Sequence, residues 1–424
     1  MNVRTRPPAT SPRSRRCIAA FAAVGALMSV AACGSSDSGS GDAGGGTYTF
    51  WDPYPQFAAG SAWEKTVKDC GSKAGVKVKR TAMDTTDVAN KALLAAQQSN
   101  TPDVLVVDNP VVSTLVEAGI LTKAKEAGLD TAAHDKNLLG AGTVDGDAYG
   151  VPIGANTLAL YYNADVLKAA GVDPASVKDW ATLTQALAKV KKAGKKGITF
   201  SGIKTEEGSF QFLPWFWGAG ADLRDLGSAE AVSALSLWKG WLDKGYAPNS
   251  VINNTQTTSW QEFASGDYAF AENGTWQLAN AKKAGFKYGV VTIPAKDGGQ
   301  AAAPTGGEFV TVPVQKDSGR YATSKKIVDC LTDSKNLLAT DTTLSYVAST
   351  TAVQEQQAKQ DPALKPWVSA VRAAKGRTSD GLGTKYPVIS EQLWTAVQAA
   401  LSGAQSPGDA LAAAQKAAAA KTDK

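Results

Sequence analysis

Histidine is almost missing from this sequence: among 424 residues only His134 is one. Catalytic triads, imidazole metal sites and histidine proton relays need at least one well-placed ring and often several. The sequence therefore leaves little room for them. Other catalytic signatures are missing as well, since no G-x-S-x-G elbow, P-loop, H-E-x-x-H or C-x-x-C pair occurs. No catalytic residue, metal or cofactor is predicted. Acidic residues are absent before Asp37, whereas Arg4, Arg6, Arg13, Arg15 and Arg16 crowd the start. Those five arginines equal the whole formal net charge of +5, so the remainder is neutral. A basic balance of that origin gives no reason to expect a nucleic-acid partner. What is present is a globular composition, with 43% hydrophobic residues and 11 Trp, too apolar for a disordered chain.

After the arginines comes an uncharged run of small and apolar residues, Cys17 to Ala32. A basic start, an apolar middle and small residues at the end are the order of a secretory signal. The run is shorter and poorer in large apolar residues than the roughly 20 needed to span a bilayer. Its end, Val30-Ala31-Ala32-Cys33, resembles the lipobox of bacterial lipoproteins. The resemblance implies a signal over 1–32, removed so that Cys33 becomes the lipid-modified first residue of an exported protein. That protein would be anchored on the outer face of the cytoplasmic membrane. Residues 33–46 then form a Gly/Ser-rich tether. Two further cysteines remain, Cys70 and Cys330, both in helix-like segments. In an oxidising compartment they are either a disulfide, which requires the two helices to pack side by side, or two separate buried thiols.

From Thr47 onward, short strands alternate with helical segments. TYTFW and VKVKRTA alternate in polarity, while PDVLVVDN is a nearly continuous apolar run, as in strands covered on both faces. This order predicts an α/β fold with a largely parallel sheet. GDAYGVPIGANTLALYYN leads through a Gly/Pro kink into a second α/β region. The Ala-rich C-terminus, DALAAAQKAAAAK, reads as a frayed surface helix. There is no internal repeat.

Aromatic residues cluster where loops are predicted: Trp51 and Tyr54, then Phe210, Trp215 and Trp217 in SFQFLPWFWGAG, then Trp276 after an N-G turn. Beside them lie Asp52, Gln56, Asp108, Asn109, Glu272, Asn273 and Glu308. Flat aromatic faces cover the C–H faces of sugars, and amides and carboxylates fix their hydroxyls. Trp63, Trp238 and Trp241 sit at helical spacing among apolar residues and read as core. Beyond the signal only Arg80, Arg224, Arg320, Arg372 and Arg377 occur, none in these aromatic segments. An anion pocket ordinarily uses an Arg fork or a helix N-terminus, so the ligand is predicted to be neutral. Glu206-Glu207 is the most suggestive carboxylate pair, but adjacent residues on an extended chain point apart.

From Cys33 to the end, the chain resembles the extracellular solute-binding proteins of family 1, maltose-binding-type lipoproteins of bacterial ABC importers. The matching segments include YTFWDPY, TPDVLVVDNPVVSTLVEAGIL, DAYGVPIGANTLALYYNADVLKAAG, FASGDYAFAENGTWQL, PTGGEFVTVP and YPVISEQLWTAVQAALSG. The resemblance implies a two-lobed periplasmic-binding-protein type II fold with a hinge and an interlobe cleft. Lobe 1 would comprise 47–153 and 307–347, and lobe 2 would comprise 154–306 and 348–424. Both cysteines then fall in one lobe, which favours the disulfide. The implied ligand contacts are Trp51, Asp52 and Tyr54 in the first loop, Asp108 and Asn109 after the third strand, and Asn156 at the first crossing. Trp276 would be a stacking platform, Gly307 and Glu308 would line the second crossing, and Trp394 would lie near the cleft. Phe210, Trp217 and Glu272 join these from the residue reading. The implied activity is capture of a mono-, di- or oligosaccharide by a monomer, not catalysis, and delivery to the membrane subunits of an ABC permease. The rival readings are a secreted glycoside hydrolase, and a binder of the same fold for a polyamine or a glycerol phosphodiester.

Overall fold

Alternation in TYTFWD turns Tyr48, Phe50 and Asp52 inward along the first strand, β1 (Thr47–Asp52), of the computed structural model. The structure describes residues 46–422 apart from Asp380. The expected signal, the lipobox cysteine Cys33 and nearly all of the tether lie outside the described residues. Ten further strands follow: β2 (Lys77–Ala82), β3 (Val104–Asp108), β4 (Thr143–Val144), β5 (Asp147–Ala148), β6 (Val151–Pro152), β7 (Leu158–Asn163), β8 (Lys196–Thr199), β9 (Tyr268–Gly274), β10 (Tyr288–Val291) and β11 (Glu308–Thr311).

They form two main sheets, ordered β2-β1-β3-β11-β6 and β10-β7-β9-β8. β2 is an edge strand carrying Lys77 and Lys79, charges that discourage pairing with a foreign chain. Val104–Val107 of the apolar β3 are fully covered, as its unbroken run predicts. The expectation of a largely parallel sheet is corrected. β1 runs parallel to β2 and β3, and β8 to β9, but β11 is antiparallel to both β3 and β6. β7 is likewise antiparallel to β9 and β10. The chain leaves the first sheet after β6 and returns at β11 from the opposite direction, which a simple βαβ crossover does not do.

Three passages between the sheets lie side by side. Ala155 bridges Val347 and Asn156 bridges Gly306, each pair exchanging two backbone hydrogen bonds. Tight approach there requires glycine. Gly307 has φ +106°, and a Cβ on it would meet the Gly154 carbonyl oxygen at 2.5 Å.

Helices cover both sheets. Ser61 caps the helix Ala62–Lys73, which buries Trp63, Val67 and Cys70 against the first sheet's core. Cys70 is bonded to Cys330 of the helix Tyr321–Leu331, with Cα atoms 5.5 Å apart. SFQFLPWFWGAG, read from sequence as an aromatic loop, lies largely in the helix Glu206–Gly218. Two acids in its first turn favour the helix dipole, and burial on all sides overrides the interior Pro214. The C-terminal helix Pro407–Thr422 is not a frayed surface element. Ala410, Leu411, Ala414 and Ala418 are buried where it packs on the helix Lys385–Leu401. No helix of the described residues is long and apolar enough to cross a membrane.

Candidate functional site

A cleft of about 940 Å³ opens where the ends of both sheets face the crossing segments. One wall carries Asp108 and the helix Asn109–Glu117, together with the helix Thr85–Gln97. The other carries Phe210, Trp276, Tyr386 and Trp394, together with the start of the helix Gln256–Ala264. Asn156 and the Gly306–Glu308 turn form its floor.

Seven residues named from sequence meet here: Asp108, Asn156, Phe210, Trp276, Gly307, Glu308 and Trp394. The Phe210 and Trp276 rings stand 6.3 Å apart and 47° inclined, two faces of one aromatic corner. The corner is held from behind, because Asn273 donates to the Gln256 carbonyl at 2.9 Å and accepts from the Gly274 N–H. Gly306 lies so close that a Cβ would sit 2.0 Å from Asn156 Oδ1 and 3.3 Å from the Phe210 ring.

Charge in the cleft is arranged around Arg377, which is 3% exposed. Its Nη2 donates to both oxygens of Asp108 at 3.1 and 3.2 Å, and its Nη1 donates to Glu206 Oε1 at 2.9 Å. The guanidinium also lies 5.0 Å from the Phe210 ring centre. Glu206 further accepts from Tyr386 and from Ser390, each at 2.5 Å. Burial works against the Arg377 charge, but Asp108, Tyr386 and Glu206 more than offset this and keep it firmly protonated. Burial, with help from Glu206, raises Asp108 above the ordinary carboxylate range, and Arg377 opposes that rise. Glu308 accepts from Tyr54 at 2.7 Å and from Tyr346 at 2.9 Å. Burial first, and the nearby Asp108 charge second, push it up to about 7 despite the two tyrosines.

The structure places six other sequence candidates off the cleft. Asp52 is fully buried and held by the Arg80 fork at 2.6 and 2.8 Å. Tyr54 stands behind Glu308 as its donor. Trp51 is half-buried and packs against the core between β3 and the helix Thr85–Gln97. The Asn109 amide donates to the Thr305 and Gly307 carbonyls at 3.0 and 3.1 Å, tying a helix start to the crossing. Glu272 is fully buried in β9 and accepts from Trp215 Nε1 at 2.8 Å, so both belong to the core. Trp217 turns away and receives Lys375 over its ring at 5.3 Å.

The lining residues not anticipated as ligand contacts include Arg377, Tyr386, Glu206 and Glu207. Arg377 lies outside the aromatic segments, as read from sequence, yet it reaches the cleft. A bridge between Pro304 and Lys375 carries the Lys375–Arg377 segment to the cleft from far along the chain. The only signal in the sequence is an isolated arginine in a Gly-flanked loop. Glu206 and Glu207 occupy the first turn of a helix rather than an extended chain.

Two sheets wired by paired crossings around one deep cleft define a two-lobed binding protein. Residues 65–366 match the model for bacterial extracellular solute-binding proteins, and the chain belongs to that family. It is 29% identical over 358 residues to a maltooligosaccharide ABC transporter solute-binding lipoprotein of Streptococcus pneumoniae (strain ATCC BAA-255 / R6), covering 79% of this chain and 81% of the relative. Among solved structures, it resembles the GacH receptor of Streptomyces glaucescens GLA.O, studied unliganded and with acarbose. The TM-score there is 0.74 at 25% identity, over 90% of this chain and 99% of that one. A cyclic alpha-maltosyl-1,6-maltose binding protein from Arthrobacter globiformis shares the fold, with TM-score 0.74 at 23% identity over 89% of this chain and 99% of that one.

Proposed function

We propose that this chain is the substrate-binding component of a bacterial ABC sugar importer, capturing a mono-, di- or oligosaccharide in its cleft. The observation that carries this reading is the Phe210–Trp276 corner, set among hydrogen-bonding side chains in a cleft reached from both sheets. A sugar ring would cover the aromatic faces with its C–H groups and give its hydroxyl protons to the carboxylates and amides. Lobe 1 comprises 47–153 and 307–347 in this proposal, and lobe 2 comprises 154–306 and 348–424, joined by the three crossings. A sugar touching both lobes binds the closed form better than the open one and shifts the population toward it. The closed protein, a monomer tethered through a lipid on Cys33, then docks on the permease and itself catalyses nothing.

A thermal-shift screen of mono-, di- and oligosaccharides against polyamines tests the ligand class. A ligand that binds only the native state at 100 times its Kd adds about 2.7 kcal/mol of stability. A rise in Tm with a saccharide is expected. A rise with polyamines and none with any sugar would overturn the reading.

A further inference from the structure

The cleft is short of positive charge. Its lining includes four carboxylates, on Asp108, Glu206, Glu207 and Glu308, and among the described residues one cation, Arg377. That cation is already committed to Asp108 and Glu206. Glu206 is filled by Arg377, Tyr386 and Ser390, and Glu308 by two tyrosines.

Glu207 is different. Its Oε2 accepts the Gln256 backbone N–H at 2.8 Å, while no cation pairs with it among the described residues. It lies three residues before Phe210 on the helix Glu206–Gly218, so both project from one side of that helix. Phe210 in turn meets Trp276. A half-buried, uncompensated carboxylate therefore borders the aromatic corner on which a sugar ring would rest.

Resting on the sugar reading, we propose that the cleft selects a saccharide bearing a protonated amine, with Glu207 as the specificity-determining residue that receives the ammonium. Three features favour that group over a hydroxyl. Glu207 supplies an opposite charge, the adjacent aromatic faces attract a cation, and among the described lining residues no positive side chain is left uncommitted to repel it. A phosphate or carboxylate on the ligand would meet the reverse situation. Arg377 is engaged, and every other charged group on the lining is an acid.

The test is calorimetry near pH 6.5 on the full exported chain with matched probes. These are the β-1,4 glucosamine tetramer against cellotetraose, and glucosamine against glucose, with maltotetraose as a further neutral sugar. At low salt the amine-bearing member should bind about tenfold more tightly than its neutral match. In 0.5 M salt, on the order of a 4 Å screening length, much of that advantage should disappear. Glu207→Gln keeps an acceptor for the Gln256 N–H and removes only the charge. It should abolish the preference, bringing the amine-bearing member to the affinity of its neutral match in the same variant. Equal binding of amine and neutral partners, or a preference that survives Glu207→Gln, overturns this inference and leaves the sugar reading standing. Failure of all five saccharides to bind overturns both.

Discussion

Arg377 and Asp108 are joined by two contacts, at 3.1 and 3.2 Å, although 269 residues separate them in the chain. The same guanidinium reaches Glu206, at the start of a helix in the second sheet's core. One side chain therefore ties the end of β3 to a helix that packs on the second sheet. Arg377→Met would leave two carboxylates facing each other with nothing between them. Removing one partner of a fully buried pair costs about 3–5 kcal/mol. Asp108 and Glu206 keep 24% and 40% of their side-chain surface in water. A loss of roughly 2 kcal/mol is therefore expected, read as a lower urea midpoint. Arg377→Lys keeps the charge but loses the fork and should fall between the two. An unchanged midpoint in Arg377→Met would show that the bridge contributes nothing.

Glu308 makes stability depend on pH in an unusual sense. Its carboxyl is raised from 4.5 to about 7 in the folded protein, so the folded state holds this proton more tightly than the unfolded chain does. Stability from this group is fully present below pH 4.5 and declines as pH rises to about 7, by roughly 3 kcal/mol in all. Buried Glu272 and Asp341, both raised well above the usual range by burial, act in the same direction. Melting temperature should fall as pH rises from about 5 to about 7, between the ordinary and the raised Glu308 values, and Glu308→Gln should flatten part of that slope. A melting temperature that rises over this interval in the wild type and is unaltered by the substitution would contradict the assignment.

Trp276→Ala removes one face of the aromatic corner. Once a binding saccharide is in hand, its affinity should weaken by about 1–3 kcal/mol, roughly 5- to 150-fold. Calorimetry on the folded variant checks this, and unchanged affinity would exclude Trp276 from the ligand's contact surface.

The Cys70–Cys330 bond closes a loop of sequence separation 260 between two helices packed on one core. Its loss should cost about 2–5 kcal/mol. Dithiothreitol should lower the melting temperature of the wild type to that of the Cys70→Ser/Cys330→Ser double variant and leave the variant unmoved. Equal melting of all three would mean the bond is not formed in solution.

Local pattern announced much of this molecule. The apolar run of β3 and the cysteine-bearing helices could be read directly, because burial and amphipathic spacing are written into neighbouring residues. Trp276 is expected after an N-G turn, but Asn273-Gly274 instead ends β9, and Trp276 follows in a short 3-10 turn of helix that lines the cleft. Polar residues beside aromatics were harder to assign. Asp52 under Arg80 and Glu272 against Trp215 look, in a sequence, the same as acids facing a ligand. What separates them is the presence of an internal partner, in both cases many residues away. Arg377 was illegible for the same reason. The pairing of Pro304 with Lys375 helps bring it to Asp108, and that pairing belongs to the tertiary fold. The strand directions of β11 and β7 likewise depend on how the chain returns, which no local alternation encodes.

The position of β11 governs when the first sheet can exist. β3 and β6 both finish by Pro152, yet they share no ladder, and the strand that joins them begins at Glu308. A nascent chain that has emerged only as far as β10 carries two halves of a sheet with an open slot between them. That slot stays unfilled until most of the polypeptide is made.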